Sequence, residues 1–183
     1  TILSPEMKST GEVMGVGKTF GEAFIKAQLG AGEHLPRPQR PDGSSTGKVF
    51  LTVRNSDKED MVNIARELVG LGYELVATRG TAAAIAAAGL PCQTVNKVAE
   101  GRPHVVDMIK NGQISLVINT VEERRNAITA SRAIRTSALA ARVPTITTIF
   151  GAEAAVKGIK AMDQLEVISL QDMHAQLKAE NAL

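Results

Sequence analysis

Hydroxyl and ammonium side chains recur in this sequence where apolar segments rich in β-branched residues end. Thr78 and Thr81 flank a Thr-Arg-Gly-Thr turn that follows residues 73–77 and precedes an alanine-rich segment, residues 82–88. The pattern predicts a strand, a tight turn and a helix with Thr81 as its N-cap. Backbone N–H groups at a helix N-terminus, together with two hydroxyls, suit a phosphate or a carboxylate.

Polar residues also follow the other predicted strands. Ligands of parallel α/β sheets bind beyond the carboxyl ends of the strands, so we expect these residues to converge on one rim. Few of them are carboxylates and two are lysines, which favours a phosphorylated, hydroxyl-rich small molecule. Beside Thr78 and Thr81, the residues expected at the rim are Arg54, Ser56, Lys58, Asn96, Lys97, Asn119, Thr120, Thr147 and Thr148.

Lys58 supports the anion site because it is predicted in the first turn of a helix, where a cation opposes the helix dipole. A bound anion would offset that cost. Taken singly, Lys58 and Lys97 could each be solvated surface lysines. Together with Thr78 and Thr81 they favour an anion site.

Signatures of catalysis and of metal binding are missing from the sequence. It contains no G-x-G-x-x-G or Walker loop and no G-x-S-x-G elbow. The three histidines and the single cysteine, Cys92, do not have the spacing of metal ligands. We therefore predict no catalytic residue, no metal ion and no cofactor in this chain.

The composition is that of a globular chain of 183 residues, 44% hydrophobic and 22% charged. A net charge of +2 is too small to imply a polyanionic partner, and 3% aromatic residues disfavour base stacking. There is no apolar run long enough for a bilayer and no signal-peptide pattern. These features predict a cytoplasmic protein without a nucleic-acid or membrane partner.

Residues 32–47, rich in Pro, Gly and Ser, predict a linker between residues 1–31 and residues 48–183. An amphipathic helix expected at residues 19–29 must pack on the main domain, on another copy of the chain or on a missing neighbour. In the main domain strands and helices alternate, which predicts a three-layer αβα fold with a mostly parallel, five-stranded sheet. Strands are expected at residues 48–53, 73–77, 92–95, 114–119 and 145–148, with a possible edge strand at 165–168.

Five longer motifs resemble the carboxyl-terminal part of the large subunit of carbamoyl phosphate synthetase. They are STGEVMGVGKTFGEAFIKAQLGAG, VATRGTA, VNKVAEGRPHVVDMIKNG, VINT and RTSALAARVPTITT, in the family's order. The resemblance implies that residues 1–31 are the tail of the second ATP-grasp domain, so that the partner surface of the first helix would be absent. It implies that residues 48–183 are an allosteric domain similar in fold to methylglyoxal synthase.

In bacterial members of that family this domain binds the inhibitor UMP and the activator IMP at one site, and ornithine binds near the domain junction. The resemblance implies four phosphate contacts and three ribose or base contacts: Lys58, Thr78, Thr81 and Lys97, and then Thr52, Asn119 and Thr120. Leu3 and Thr147 map to the ornithine side. Val121 replaces a threonine of the family pattern, which bears on the preference between UMP and IMP.

The resemblance also implies a parent enzyme that makes carbamoyl phosphate from glutamine, bicarbonate and ATP, with Mg or Mn, for arginine and pyrimidine biosynthesis. Its partners would be the rest of the large subunit and a glutaminase small subunit, and a homo-oligomer is possible.

Two other interpretations share the fold. A phosphate-eliminating lyase of the methylglyoxal synthase type needs a carboxylate base beside the phosphate. However, Arg102 lies near the position of that family's essential aspartate, and residues 119–124 contain no aspartate. A bifunctional purine-pathway enzyme would need a second catalytic domain. The allosteric domain is the first hypothesis and the lyase is the alternative.

Overall fold

The computed structural model describes residues 13–37, 43–45, 47–120 and 125–180. Strands and helices alternate from residue 48 onwards, after one helix that precedes the linker. The elements are α1 (Phe20–Gly30), β1 (Lys48–Thr52), α2 (Lys58–Gly70), β2 (Leu75–Thr78), α3 (Arg79–Ala87), β3 (Gln93–Val95), α4 (Val105–Lys110), β4 (Ile114–Asn119), α5 (Arg125–Ala140), β5 (Thr145–Ile146), α6 (Ile149–Ala161) and α7 (Leu170–Glu180).

The strands form one five-stranded sheet in the order β3-β2-β1-β4-β5. Each neighbouring pair is parallel, and Phe50 in the central strand aligns with Val76 on one side and Val117 on the other. All carboxyl ends therefore meet at one edge of the sheet, as the sequence predicts.

Alternate residues of β1 face opposite sides of the sheet, as a period of two requires. Val49 and Leu51 pack in a core that includes residues of α1, α2, α3 and α6. Phe50 packs on the other side with residues of α4 and α5, among them Val105 and Ile134. The sheet lies between two helical layers, which confirms the predicted three-layer αβα fold.

Helix α1 packs against α6, so the main domain supplies its partner. Ile25 is fully buried at this contact. Glycines allow the close approach of the two helices: a Cβ on Gly21 would lie 2.4 Å from the carbonyl oxygen of Lys157, and Gly158 faces Phe24 and Ile25. The expectation that the partner surface of this helix is absent is wrong.

The first part of the predicted linker packs on the domain. Leu35 is buried, and the Tyr73 hydroxyl donates to the carbonyl oxygen of Pro36. Burial raises the pKa of Tyr73, so this hydroxyl remains a donor. Arg37 forms an ion pair with Asp163. The polar, Pro-rich composition of this segment gives little indication of these contacts.

Two local predictions are wrong. Helix α3 begins at Arg79 with Thr78 as its N-cap, because the chain passes from the extended Thr78 directly into the helix without the predicted tight turn. Residues 165–168 form no strand. Leu165 packs on the core but Val167 is fully exposed, so the segment has no paired, half-buried face.

Candidate functional site

Threonine hydroxyls join the ends of β1 and β2 to the start of α3. The Oγ1 atoms of Thr52 and Thr78 lie 3.1 Å apart, and the Val53 N–H donates to Thr81 Oγ1 at 3.2 Å. Thr78 makes no side-chain capping bond to α3. The first N–H groups of α3 lack an intrahelical acceptor, and this N-cap supplies none, so they can bind an anion.

Lys58 brings a positive charge to the same place from the neighbouring helix. Its Nζ lies beside the first turn of α3, 3.5 Å from the position of a Cβ on Gly80. Within the described ranges, no salt bridge is found for this ammonium. An ammonium and a helix N-terminus repel each other, and a phosphate between them would relieve that repulsion. We call Thr52, Lys58, Thr78, Thr81 and the first turn of α3 the anion cradle.

Lys97 lies exposed after β3, next to the anion cradle. Its N–H donates to Glu100 Oε2 at 2.9 Å. The same carboxylate oxygen is 3.8 Å from Nη2 of Arg79, the first residue of α3. Glu100 therefore connects the segment that carries Lys97 to the start of α3. We did not identify Glu100 from the sequence, because a lysine side chain has no acceptor and Lys-x-x-Glu is therefore not a capping-box pattern.

Asn119 and Thr120 continue the site on the β4 side of Thr52. Asn119 Nδ2 donates to Ser131 Oγ in α5 at 2.8 Å, and both side chains are buried. Thr120 Oγ1 accepts the Arg54 N–H at 3.1 Å. The Asn119 Nδ2 and Thr120 Oγ1 atoms are thus bonded within the protein. Ser131 was not identified from the sequence, since a serine inside a long helix carries no motif.

Asp57 is a buried carboxylate at the rim that we also did not identify from the sequence. Its Oδ1 accepts from Arg54 Nε at 2.8 Å and from Ser56 Oγ at 2.9 Å. Burial disfavours the charged form, but hydrogen bonds from Arg54, Thr120 and Ser56 hold the pKa of Asp57 below its ordinary value. The carboxylate is therefore charged at neutral pH. The sequence signal for this ion pair is that Arg54 and Asp57 are three residues apart.

Comparison with known proteins assigns the central part of this fold. Residues 60–147 match the family model described as MGS-like domain. This part of the chain is similar to MGS-like domains. The chain is also similar in structure to the methylglyoxal synthase from Elizabethkingia anophelis NUHP1, with a TM-score of 0.51 and 20% identity over 60% of this chain and 76% of that chain. This similarity confirms the predicted fold.

Over nearly its whole length, the chain matches large chains of carbamoyl phosphate synthase. It is 57% identical to the one from Ralstonia nicotianae over 176 residues, 96% of this chain. It is 52% identical to the one from Neisseria meningitidis serogroup B over 181 residues, 99% of this chain. The chain spans only 16% of the length of each of these relatives. The resemblance identified from the motifs is confirmed.

Thr147 lies apart from the anion cradle. It is exposed just beyond β5, and β1 and β4 separate β5 from β2. Leu3 and Val121 lie outside the described residues. The structure therefore brings together Thr52, Lys58, Thr78 and Thr81, places Lys97, Asn119 and Thr120 around them, and does not bring Thr147 to the same place.

The remaining reactive side chains of the MGS-like domain do not gather at the cradle. His104 is buried at the start of α4, where its N–H donates to Asp107 Oδ2 at 3.1 Å. Burial raises the pKa of Cys92, which is half-buried and precedes β3, to about 11. Among the described residues, no group of three or more His, Cys, Asp or Glu side chains could hold a metal ion. No described helix is both long and apolar enough to cross a membrane.

Proposed function

We propose that this chain is a non-catalytic, nucleotide-binding regulatory part of a carbamoyl phosphate synthase large chain. The support comes from its similarity to such large chains over nearly its whole length and from the anion cradle. The proposed ligands are nucleoside monophosphates, with UMP as inhibitor and IMP as activator.

One observation carries this proposal: the Lys58 ammonium lies beside the first turn of α3, close to Gly80. A phosphate placed there would accept hydrogen bonds from backbone N–H groups and from an ammonium, and charge-assisted bonds of this kind are the strong ones. We propose Lys58, Thr78, Thr81 and Lys97 as the phosphate-binding residues.

The rest of the nucleotide would extend from the cradle towards β4. Thr52 joins the cradle to that side, and Asn119 and Thr120 lie at the end of β4. We propose these three residues as neighbours of the ribose or base. Val121, in place of the family's threonine, would alter the contacts that distinguish UMP from IMP. We further propose that Leu3 and Thr147 belong to an ornithine side of the parent enzyme, away from the phosphate.

Regulation by such a site requires that the nucleotide bind the active and inactive arrangements of the parent enzyme with different affinities. In our proposal the parent is a cytoplasmic ligase that uses glutamine, bicarbonate and ATP with Mg or Mn, for arginine and pyrimidine biosynthesis. Residues 1–31 would be the tail of its second ATP-grasp domain, and a glutaminase small subunit would be its partner. The packing of α1 on α6 offers a route from the regulatory domain to that tail.

Calorimetry with the 183-residue chain tests the proposal. We expect UMP or IMP to bind and uridine to bind far more weakly, because the phosphate makes the charged contacts. Affinity should fall as salt is added, since ions screen an ammonium at the protein surface. Absence of heat from either nucleotide at millimolar concentration would contradict the proposed function. Equal affinity for UMP and uridine would contradict the phosphate cradle.

The alternative, a phosphate-eliminating lyase, makes a different prediction. A general base works best with a pKa near the working pH, and the pKa of Asp57 is held low by its donors. We therefore expect the chain to form no methylglyoxal from dihydroxyacetone phosphate. The control is Lys97→Ala, which lacks a phosphate contact. Methylglyoxal formation above the level of this variant would show that the chain is an enzyme.

A further inference from the structure

We propose that Asp57 is a positioning residue, which holds the β1–α2 connection in place so that Lys58 reaches the phosphate. This inference rests on the proposed function. Asp57 would not touch the nucleotide. It would act on binding through the next residue in the chain.

The side chain of Asp57 does not do what is usual at its position. Asp57 ends a short 3-10 turn, Asn55–Asp57, that leads into α2, and its φ of −100° and ψ of 2° differ from the extended conformation in which an N-cap aspartate accepts a hydrogen bond from the second or third N–H of a helix. No such bond is present. Instead its carboxylate faces Arg54, Ser56 and Thr120. Since it does not cap α2, the carboxylate is available for another task.

That task is to join the end of β1 to the end of β4. Arg54, the first partner of Asp57, donates its N–H to Thr120 Oγ1. The Thr120 N–H in turn donates to the carbonyl oxygen of Thr52 at 3.0 Å. The Asp57 N–H donates to the Arg54 carbonyl oxygen at 3.1 Å. These bonds close a small network around Asp57, a residue that is only 6% exposed.

Lys58 is the residue that this network places. It follows Asp57 directly and opens α2, and its long side chain reaches Gly80 on the neighbouring helix. A lysine has considerable rotamer freedom, and the described residues offer no salt bridge that would hold its ammonium over α3. The region that the ammonium can reach therefore depends on the position of the Lys58 backbone, and the network around Asp57 holds that backbone in place. Thr120 also belongs to this network, because its hydroxyl accepts the Arg54 N–H.

Residue-resolved acetylation of lysines tests the inference. The 183-residue chain is treated with acetic anhydride with and without UMP, and labelling is read by mass spectrometry. At a UMP concentration about ten times Kd, mass action lowers the labelling rate of a blocked amine by about tenfold. In the wild type we expect this protection at Lys58 and at Lys97. Lys110, at the far end of α4, is the internal reference.

In Asp57→Asn we expect Lys97 to remain protected while Lys58 loses most of its protection, compared at UMP concentrations that protect Lys97 equally. Ser56→Ala is the second variant, used if Asp57→Asn does not fold. It removes one hydrogen-bond donor to Asp57 at an exposed position and should keep the fold. In this variant we expect a smaller loss of acetylation protection, confined to Lys58.

Full protection of Lys58 in a folded variant would overturn the inference and leave the proposed function intact. Loss of protection at both lysines would also overturn it, because Asp57 would then support the whole site. Lack of protection in the wild type would overturn the proposed function itself.

Discussion

Lys58→Met is expected to weaken the binding of UMP or IMP by about ten- to a hundredfold. Methionine has a similar length and no charge, so the variant removes the ammonium beside Gly80 while it keeps most of the apolar stem. A hydrogen bond to a charged group contributes about 1.5–3 kcal/mol, which corresponds to that range of affinity. Calorimetric titration of the 183-residue chain measures the change directly.

The matched control is Lys110→Met, which makes the same change in charge at the opposite edge of the sheet. Helix α4 runs from the end of β3 back towards the start of β4, so Lys110 lies far from the cradle. We expect wild-type affinity for this variant. Uridine should bind Lys58→Met and the wild type equally, because uridine has no phosphate. Unchanged UMP affinity in Lys58→Met would show that the phosphate does not bind beside Gly80.

Gly21→Ala is expected to lower the thermal stability of the chain, because it forces α1 and α6 apart. The added Cβ would lie 2.4 Å from the backbone carbonyl oxygen of Lys157, and a backbone atom cannot rotate away. Overpacking of this kind costs about 1–3 kcal/mol. For a domain of this size each kcal/mol lowers Tm by about 2–4 °C. Differential scanning calorimetry measures the shift.

Gly70→Ala is the control for this prediction. Gly70 is the last residue of α2, and a Cβ there would meet no atom within 4 Å. Alanine favours the helix over glycine by about 0.5–1 kcal/mol, so this variant should melt at or slightly above the wild-type temperature. If Gly21→Ala and Gly70→Ala have the same Tm, helix α1 does not pack on α6 in solution. The segment that carries α1 would then be free of the main domain.

The sequence was sufficient to predict the sheet and the sheet edge at which the polar residues of the candidate site meet. The apolar, β-branched segment that became β4 matches residues 114–119 without error, since a buried central strand leaves little choice of boundary. Parallel strands then bring Thr52, Thr78 and Asn119 to the same edge. The start of α3 was predicted wrongly, because Thr78 and Thr81 are both good N-cap residues and Gly80 favours a turn.

Contacts between distant segments could not be predicted from one sequence. Arg54 and Thr120 are 66 residues apart, so their bond gives no local signal, and the role of Asp57 depends on it. The packing of α1 on α6 depends on the contact between Gly21 and Lys157, which are more than a hundred residues apart in the sequence. A glycine near a helix start is equally compatible with a loop or a cap, so it does not point to a helix contact. Such pairings become visible only in three dimensions.

The central claim is that a nucleotide phosphate binds at the first turn of α3, and an amide-resolved NMR titration of the 183-residue chain with UMP tests it most directly. We expect the largest shifts at the amides of Gly80 and Thr81, with smaller shifts near Lys97 and Asn119. Inorganic phosphate should shift the same two amides in the same direction. Shifts concentrated in the groove lined by residues 14–16 and 166–170, or no shift at Gly80 and Thr81 at saturation, would contradict the claim.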